Sequence, residues 1–547
     1  EVNPFTGVVS WTSENMPSSI AMEWAFVGFS DVFPDCSEPG RLDWASVDSV
    51  LEEHASRGHH TILRPVLFGP GYGKENYNPV GMPTTPLQYE GSTFQNPAWD
   101  TQIVKSCVLS FISAFADQYR SDSRVGYVQM GLFGLWGEHH LDDAAPYNGR
   151  NFPSASDQAE YINAFLDEFG TGNTDILCGI SLDSTQDHGP FTEHPELLGK
   201  RFQFFDDTLL ERGHATNRNW RQDPLPTSAR LAQQQFGGMG GEFAWPRCNS
   251  NSAWTRAPFD CGNGEPLSDQ ADRIQLNYVL GSPAVEEGNR LATKVLAGSK
   301  SMGWELMATE VVVSSRSTID VSMTNPGAAA LPYQMQLCLT LDRDTRPSCQ
   351  DTGLLSPGST ETVAFTLSQR LTEDDTTAYL SLSCSRTLAG TKPLLSNEGV
   401  SAANRDLPVR ISPEAPGSPT PPPTSGGGSR SAACCEDLAK DLKFANKRGS
   451  ALVCGDSKWK RHRCMYSATF KEAEDACLAV GARLCALDEV QNNEVKKTGC
   501  NMDKFWMWTS TPCERGFITA KGGNGRGPEC LSPDSKADVR CCADACT

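Results

Sequence analysis

Over its first 300 or so residues the chain alternates short apolar runs with longer stretches of helical periodicity, and this alternation leaves few folds open. Strand candidates fall at 7–11, 20–29, 60–69, 125–136, 176–182, 202–205, 238–243 and, more ambiguously, 274–280. Helical stretches fall between them at 44–57, within 98–119, and at 156–169, 228–235 and 285–296. The first of these stops at Gly58, a residue that ends helices. Repeated βα units of this length predict a (β/α)8 barrel over 1–301, with eight parallel strands closed inside a ring of helices. A doubly wound open sheet is the alternative, and no glycine-rich phosphate loop supports it.

The texture changes near residue 302. The runs ATEVVVSS, STIDVSMTN, YQMQLCLTLD, ETVAFTLS and TAYLSLSCS alternate at period two with turn residues between them. That pattern predicts an antiparallel β-sandwich over 302–411. Cys338, Cys349 and Cys384 lie in it, so two can pair and the third reaches elsewhere or stays free. Residues 412–431 contain PEAPGSPTPPPTSGGGS, an extended spacer that cannot bury a core and whose hydroxyls could carry O-glycans.

Beyond this linker, residues 432–547 hold 12 of the 20 cysteines, none in a CxxC pair of the zinc-binding kind. Such density in a small domain predicts a disulfide framework and therefore an oxidising, extracellular compartment. The chain starts at Glu1 without an initiator methionine, as expected of a mature secreted protein whose signal has been removed. No apolar run approaches the roughly 18 residues of a membrane span. The net charge is −20; from Ala432 onward 18 basic and 16 acidic residues leave +2, so the first 431 residues carry −22. So acidic a surface disfavours nucleic acid, which needs a basic footprint.

In a barrel enzyme the chemistry sits at the carboxyl ends of the strands. Polar residues expected there are Glu23 and Trp24 on the second strand and Arg64 on the third. The fourth closes with GLWGEHH, which carries Trp136, Glu138, His139 and His140; the fifth ends at Asp183; the sixth ends at Asp206 and Asp207. The seventh reads GGEFAWP and brings Glu242 and Trp245. Glu138 and Glu242 stand out because each follows a glycine-rich strand and has tryptophan beside it. Glycine permits close approach of a ligand, indole stacks on sugar faces, and glycoside hydrolysis needs two carboxyls across the scissile bond. The alternative for Glu138 is a buried structural carboxylate paired with Arg64, and for Glu242 a loop or capping carboxylate. Of His139 and His140, adjacent on a strand, one at most is expected to face the site.

The stretch MEWAFVGFSDVFPDCSEPGRLDWASVDSVLEEHASRGHHTILRP resembles the opening of many (β/α)8 glycoside hydrolases. In the large retaining clan of those barrels, the acid/base glutamate ends strand four and the nucleophile ends strand seven. The resemblance therefore implies Glu138 as general acid/base and Glu242 as nucleophile. The strand-end residues Glu23, Trp24, Arg64, Trp136, His139, Asp183, Asp207 and Trp245 are expected around the substrate. The sequence departs from that clan in having Gly137, not Asn, before Glu138. GLFGLWGEHH, GGEFAWP and the sandwich opening GWELMATEVVV look more like an uncharacterised family that joins such a barrel to a β-sandwich.

In the tail, YSATFKEAEDACLAVGARLCALDEVQ, FWMWTST and VRCCAD resemble the helix, core strand and closing strand of a C-type-lectin-like domain. The Glu-Pro-Asn, Gln-Pro-Asp and Trp-Asn-Asp triplets by which such lectins hold Ca2+ and sugar are missing. Calcium needs several oxygen ligands together, so no cofactor or metal is assigned. The expected function is a secreted glycoside hydrolase acting on a polysaccharide. The alternative is a non-catalytic glycan-binding or structural protein of a cell wall, matrix or surface filament, with self-assembly or matrix partners.

Overall fold

A computed structural model describes residues 3–10, 20–69, 76–141, 144–209, 237–243, 267–281, 296–343, 346–389, 391–397, 400, 405–411, 419–420 and, in short segments, 435–544. The chain forms two compact units, 1–425 and 426–547.

The first unit opens with a closed barrel of eight parallel strands: β1 (Gly7–Ser10), β2 (Met22–Gly28), β3 (His60–Val66), β6 (Val125–Gln129), β7 (Cys178–Ser181), β8 (Gln203–Leu209), β9 (Met239–Phe243) and β10 (Leu276–Leu280). The strands follow one another around the barrel in chain order, and β10 returns to β1. A hairpin, β4 (Thr84–Tyr89) and β5 (Ser92–Pro97), interrupts the series after β3. Its turn residues Glu90 and Gly91 both take positive φ, the geometry a two-residue hairpin turn requires. Outside the strands lie the short α1 (Phe29–Val32), then α2 (Ala45–Ser56), α3 (Gln102–Tyr119), α4 (Ala155–Phe169) and α5 (Leu267–Ile274). Thr101 and Ser154 cap α3 and α4 through their hydroxyls, satisfying amides that a helix start leaves bare.

All eight predicted strands are present. The fourth stops at Gln129 instead of reaching residue 136, and the sixth runs on to Leu209, which places Asp206 and Asp207 within it. The predicted helix over 228–235 and most of that over 285–296 lie outside the described residues.

The sandwich pairs two four-stranded sheets built from β11 (Met307–Ser315), β12 (Thr318–Thr324), β13 (Gln336–Leu341), β14 (Ser348–Asp351), β15 (Thr360–Thr366), β16 (Thr377–Ser383), β17 (Leu407–Arg410) and β18 (Pro419–Thr420). Their orders are β15-β12-β11-β18 and β14-β13-β16-β17. Thus Pro419 and Thr420, inside the proline-rich run, pair with the edge of β11. Cys338 bonds Cys349, and Cys384 stays a buried thiol.

One apolar cluster runs from the barrel interior (Phe5, Val9, Met22, Ile62, Tyr127) through Trp304 and Tyr333 into the sandwich core. Polar contacts fix the junction. Tyr333 donates to the Gly126 carbonyl, Trp304 Nε1 to Pro4 O at 3.2 Å, and Arg386 to the carbonyls of Arg120, Asp122 and Val125. These contacts lie at the amino ends of the strands. The sandwich therefore stops the bottom of the barrel and leaves the top for chemistry.

The second unit is small and stapled by Cys435–Cys454, Cys477–Cys541, Cys485–Cys542 and Cys513–Cys530. Its helix Phe470–Leu478 starts with Thr469 and Glu472 exchanging backbone and side-chain bonds, a capping box. Trp508, fully buried, donates Nε1 to Ala468 O at 2.7 Å. No described helix is long and apolar enough to cross a membrane.

Candidate active site

Side chains alternate along a strand, so every second residue of each barrel strand points inward. Tyr278 fills the middle of the barrel so closely that a Cβ on Gly240 would lie 2.2 Å from its ring, which explains one glycine of the GGE run. Gln129 sits at the same level. Its Oε1 accepts from Trp24 Nε1 at 2.9 Å and from Arg64 Nε at 2.7 Å, and its Nε2 donates to Tyr278 at 3.2 Å. The Arg64 guanidinium lies between two aromatic faces, 5.0 Å from the Trp24 centroid and 4.7 Å from that of Phe205. One of its terminal nitrogens, Nη1, donates to Glu138 Oε1 at 2.9 Å.

Glu138 reaches that position because residues 130–140 form a tightly coiled loop rather than more strand. Leu132, Gly134, Trp136, Gly137 and His139 all take positive φ. A Cβ on Gly134 would meet the His140 carbonyl at 2.2 Å, and one on Gly137 would meet Gly131 Cα at 2.9 Å, so the glycines permit the coil to close on itself. The loop buries His139 against Met130 O and sets His140 beside Glu138 and Asp207. His140 Nε2 lies 3.3 Å from Glu138 Oε2 and 3.7 Å from Asp207 Oδ2. Asp207, on β8, brings a carboxyl oxygen within 4.8 Å of the Glu138 carboxyl. Glu242, next to last on β9, is half-buried.

The carboxyls differ in charge. Burial opposes ionisation of Glu138, but His140 and Arg64, with Asp207, outweigh it and hold that carboxyl below its ordinary value. Burial and the charge on Glu138 push Glu242 up to about 8, against a smaller opposing pull from Arg64. Burial, then Glu138 and Asp183, push Asp207 well above the ordinary range. The proton affinities in the cluster are therefore driven apart, with Glu138 the most acidic of the three, as crowded carboxyls with few cations require.

The structure thus brings Arg64, Glu138, Asp207 and Glu242 together, with Asp183 close enough to act on Asp207. Trp136 is half-buried beside them, edge-on to Tyr89 of the hairpin at 5.8 Å. Other expected substrate residues are corrected. Glu23 points outward near the start of β2 and is fully buried. Arg57 grips it through Nε at 2.9 Å and Nη2 at 2.7 Å, His59 at 2.8 Å and His54 at 3.3 Å. Alternation explains this, since Met22, Trp24 and Phe26 take the inner face. Trp24 is 2% exposed and cradles Arg64 rather than offering a face to a sugar. His139 is fully buried with Nε2 2.8 Å from Met130 O, so His140 is the histidine at the site. Trp245 lies outside the described residues. Gln129, Phe205 and Tyr89 were not anticipated. A glutamine at the inward end of strand four and the Glu90-Gly91 turn signal were the available clues.

Two groups have metal-like spacing. Glu138, His140 and Asp207 each present a ligand atom within 4.8 Å of the others, as do Cys485, Glu489 and Cys542. In the second group the cysteines are joined to each other and Glu489 is held by both terminal nitrogens of Arg483, so it offers no site. In the first, the direct contacts among the three side chains account for their approach.

No protein-family model matches the chain. No curated protein matches it either. Among solved structures it is similar to a glucosidase from Croceicoccus marinus at 10% identity, over 67% of this chain and 94% of that one, with TM-score 0.34. It is similar to a GH5_18 protein from Bifidobacterium longum in complex with Manb1-4GlcNAc at 11% identity, over 48% and 60%, with TM-score 0.31. A Paenibacillus polymyxa xyloglucanase of glycoside hydrolase family 44 is similar at 10% identity, over 67% and 95%, with TM-score 0.28. The chain spans about three fifths of the Bifidobacterium protein. Likeness this distant carries no chemistry; the chemistry comes from this chain's own side chains.

Proposed function

We propose that this protein is an extracellular glycoside hydrolase that cleaves a polysaccharide with Glu138 and Glu242. One observation carries this. Two carboxyls rise from the carboxyl ends of the fourth and seventh barrel strands, close enough that the charge of Glu138 raises the proton affinity of Glu242. Paired carboxyls with proton affinities driven apart are what acid catalysis beside a nucleophile or base requires.

The electrostatics favour roles opposite to those implied by the clan resemblance. Glu138 has both oxygens engaged, by Arg64 and His140, and stays ionised as nucleophile or base. Glu242 makes no ion pair among the described residues and holds a proton at pH 7, which suits the general acid. Half-buried Trp136 and Tyr89 offer aromatic faces for a sugar ring. The disulfides favour an oxidising compartment. The second unit, whose helix is tied by Cys477–Cys541 to its closing strand, fits a C-type-lectin-like appendage.

The test is reducing-end release by the full chain from a panel of neutral polysaccharides. Wild type should release sugar, and Glu138→Gln and Glu242→Gln should each lose at least about a thousandfold in kcat while still folding. Turnover surviving both substitutions would overturn the pair. Glycan binding without turnover in the wild type would select the non-catalytic alternative.

A further inference from the structure

Ser156, His194 and Glu196 form a hydrogen-bonded series outside the carboxyl cluster. Ser156 Oγ lies 3.3 Å from His194 Nε2, and His194 Nδ1 lies 3.2 Å from Glu196 Oε1. Together the two contacts select one tautomer. Nδ1 carries the hydrogen and donates to the carboxylate, which leaves the Nε2 lone pair to accept from the serine hydroxyl. A hydroxyl, a base within its reach and an acid that orients the base are the parts of an activated serine nucleophile.

The fold brings these residues together from separate elements. Ser156 is the second residue of α4, and His194 stands 38 positions further on, in the segment after β7. The fully buried Gln158 pins that segment to the helix start, with Nε2 donating to Pro153 O at 2.9 Å and to His188 O at 2.7 Å. His194 N donates to Pro190 O at 2.8 Å, and the turn that His194 opens is anchored by the fully buried Leu197. At the start of α4, Asp157 N donates to Ser154 Oγ and Gln158 N to Ser154 O. The amides of Ala155 and Ser156 are therefore the donors that the helix start leaves over. Lys105 Nζ lies 2.6 Å from Asp157 Oδ1 and offsets the charge of that adjacent acid. Ser156 is exposed and the His194 side chain is 29% exposed, so an ester on a bulky carrier can reach them.

We propose that Ser156, His194 and Glu196 form a second hydrolytic site, which removes short O-acyl groups from a polysaccharide. The ester-splitting chemistry stands on this geometry alone, and the polysaccharide as carrier rests on the glycoside hydrolase reading above. Ser156 Oγ attacks the ester carbonyl carbon, and its proton passes to His194 Nε2 while Glu196, a positioning residue, holds the ring. The Ala155 and Ser156 amides supply donors for the charge that collects on the carbonyl oxygen. The bond between the acyl carbon and the sugar oxygen then breaks, and His194 returns the proton to that oxygen. Water, deprotonated by the same nitrogen, releases the carboxylic acid and restores the serine.

The first test needs no glycan. The full chain is treated with a fluorophosphonate, which labels activated serines, and the adduct is located by mass spectrometry. Labelling is expected on Ser156, and His194→Ala should slow it at least about a hundredfold. Turnover of p-nitrophenyl acetate should fall to the buffer rate in Ser156→Ala, whose exposed position leaves Tm unchanged. Glu196→Gln should lower kcat at least about tenfold with KM and Tm unchanged. An unlabelled Ser156, or labelling that survives His194→Ala, would overturn the site whether or not the protein cleaves glycosidic bonds. The second test is acetate release from acetylated xylan and acetylated glucomannan. Wild type should release acetate and Ser156→Ala should not. A labelled Ser156 with no acetate from either polymer would overturn the polysaccharide as the carrier.

Discussion

Replacing Glu242 by glutamine removes one ionisable group from the top of the barrel and keeps its volume. The unfolded carboxyl titrates near 4.5 and the folded one near 8, so between those values the folded chain holds a proton that the unfolded chain has released. A group raised in this way leaves stability intact below pH 4.5 and erodes it as the pH climbs through 8. At about 1.4 kcal/mol per pH unit, the erosion at pH 7 is on the order of 3 kcal/mol. The unit containing the barrel spans residues 1–425. At roughly 2.1 cal/mol/K per residue its unfolding entropy is about 0.9 kcal/mol/K, so the effect on Tm is about 3 °C. Scanning calorimetry of wild type and Glu242→Gln from pH 4.5 to 8.5 should give curves that coincide at the acid end and separate steadily. The variant should be the more stable by about 5 °C at pH 8. A difference that does not change with pH, or a variant less stable at pH 8, would refute the raised carboxyl and with it the assignment of Glu242 as acid.

Three further outcomes follow from other parts of the first unit. Glu23→Ala leaves Arg57 and two histidines facing an empty place at a fully buried position, so it should cost about 3–5 kcal/mol in urea unfolding; an unchanged midpoint would show that the network is not structural. The Cys36–Cys107 bridge links positions 71 apart, and replacing both cysteines by serine should remove about 4 kcal/mol, read in the same assay as a shifted midpoint. The net charge of −22 over the first 431 residues repels anionic sugars, so kcat/KM on neutral glycans should exceed that on uronate-rich ones by at least about tenfold at low salt; the reverse preference would contradict the charge map.

The barrel was legible because its apolar runs have lengths and spacings that a closed parallel sheet accommodates, and because buried strands read as continuous apolar segments. The positions of Glu138 after strand four and of Glu242 on strand seven followed from counting those runs. What could not be read was side-chain direction. Glu23 and Trp24 are adjacent in sequence, yet period two sends the first into a charge network under α2 and the second inward against Arg64. His139 and His140 exchange their expected places because positive φ at residue 139 turns the chain where a strand would have continued. Asp207 was taken for a residue beyond its strand, but β8 extends through it, and its inward face is what carries it to Glu138. In each case the residue type was informative and the orientation depended on backbone that composition does not encode.

The coil that presents Glu138 is itself an argument about the site. Three non-glycine residues, Leu132, Trp136 and His139, have positive φ within eight positions, each costing on the order of 1–3 kcal/mol. The surroundings offset that strain with specific bonds: Leu132 N to Pro65 O at 3.0 Å, Leu135 N to His140 O at 2.9 Å, Trp136 N to Phe68 O at 3.2 Å and His139 N to Phe133 O at 3.0 Å. His188 adds a contact to the His139 carbonyl at 2.8 Å. A continued strand would have satisfied the same amides without strain, but alternation would then have divided residues 138 and 140 from their present partners. The coil instead sets both side chains against β3 and β8, where Arg64 and Asp207 meet them. Strain retained and stabilised from several sides, at the open end of the barrel, fits a backbone shaped to hold one carboxylate in place.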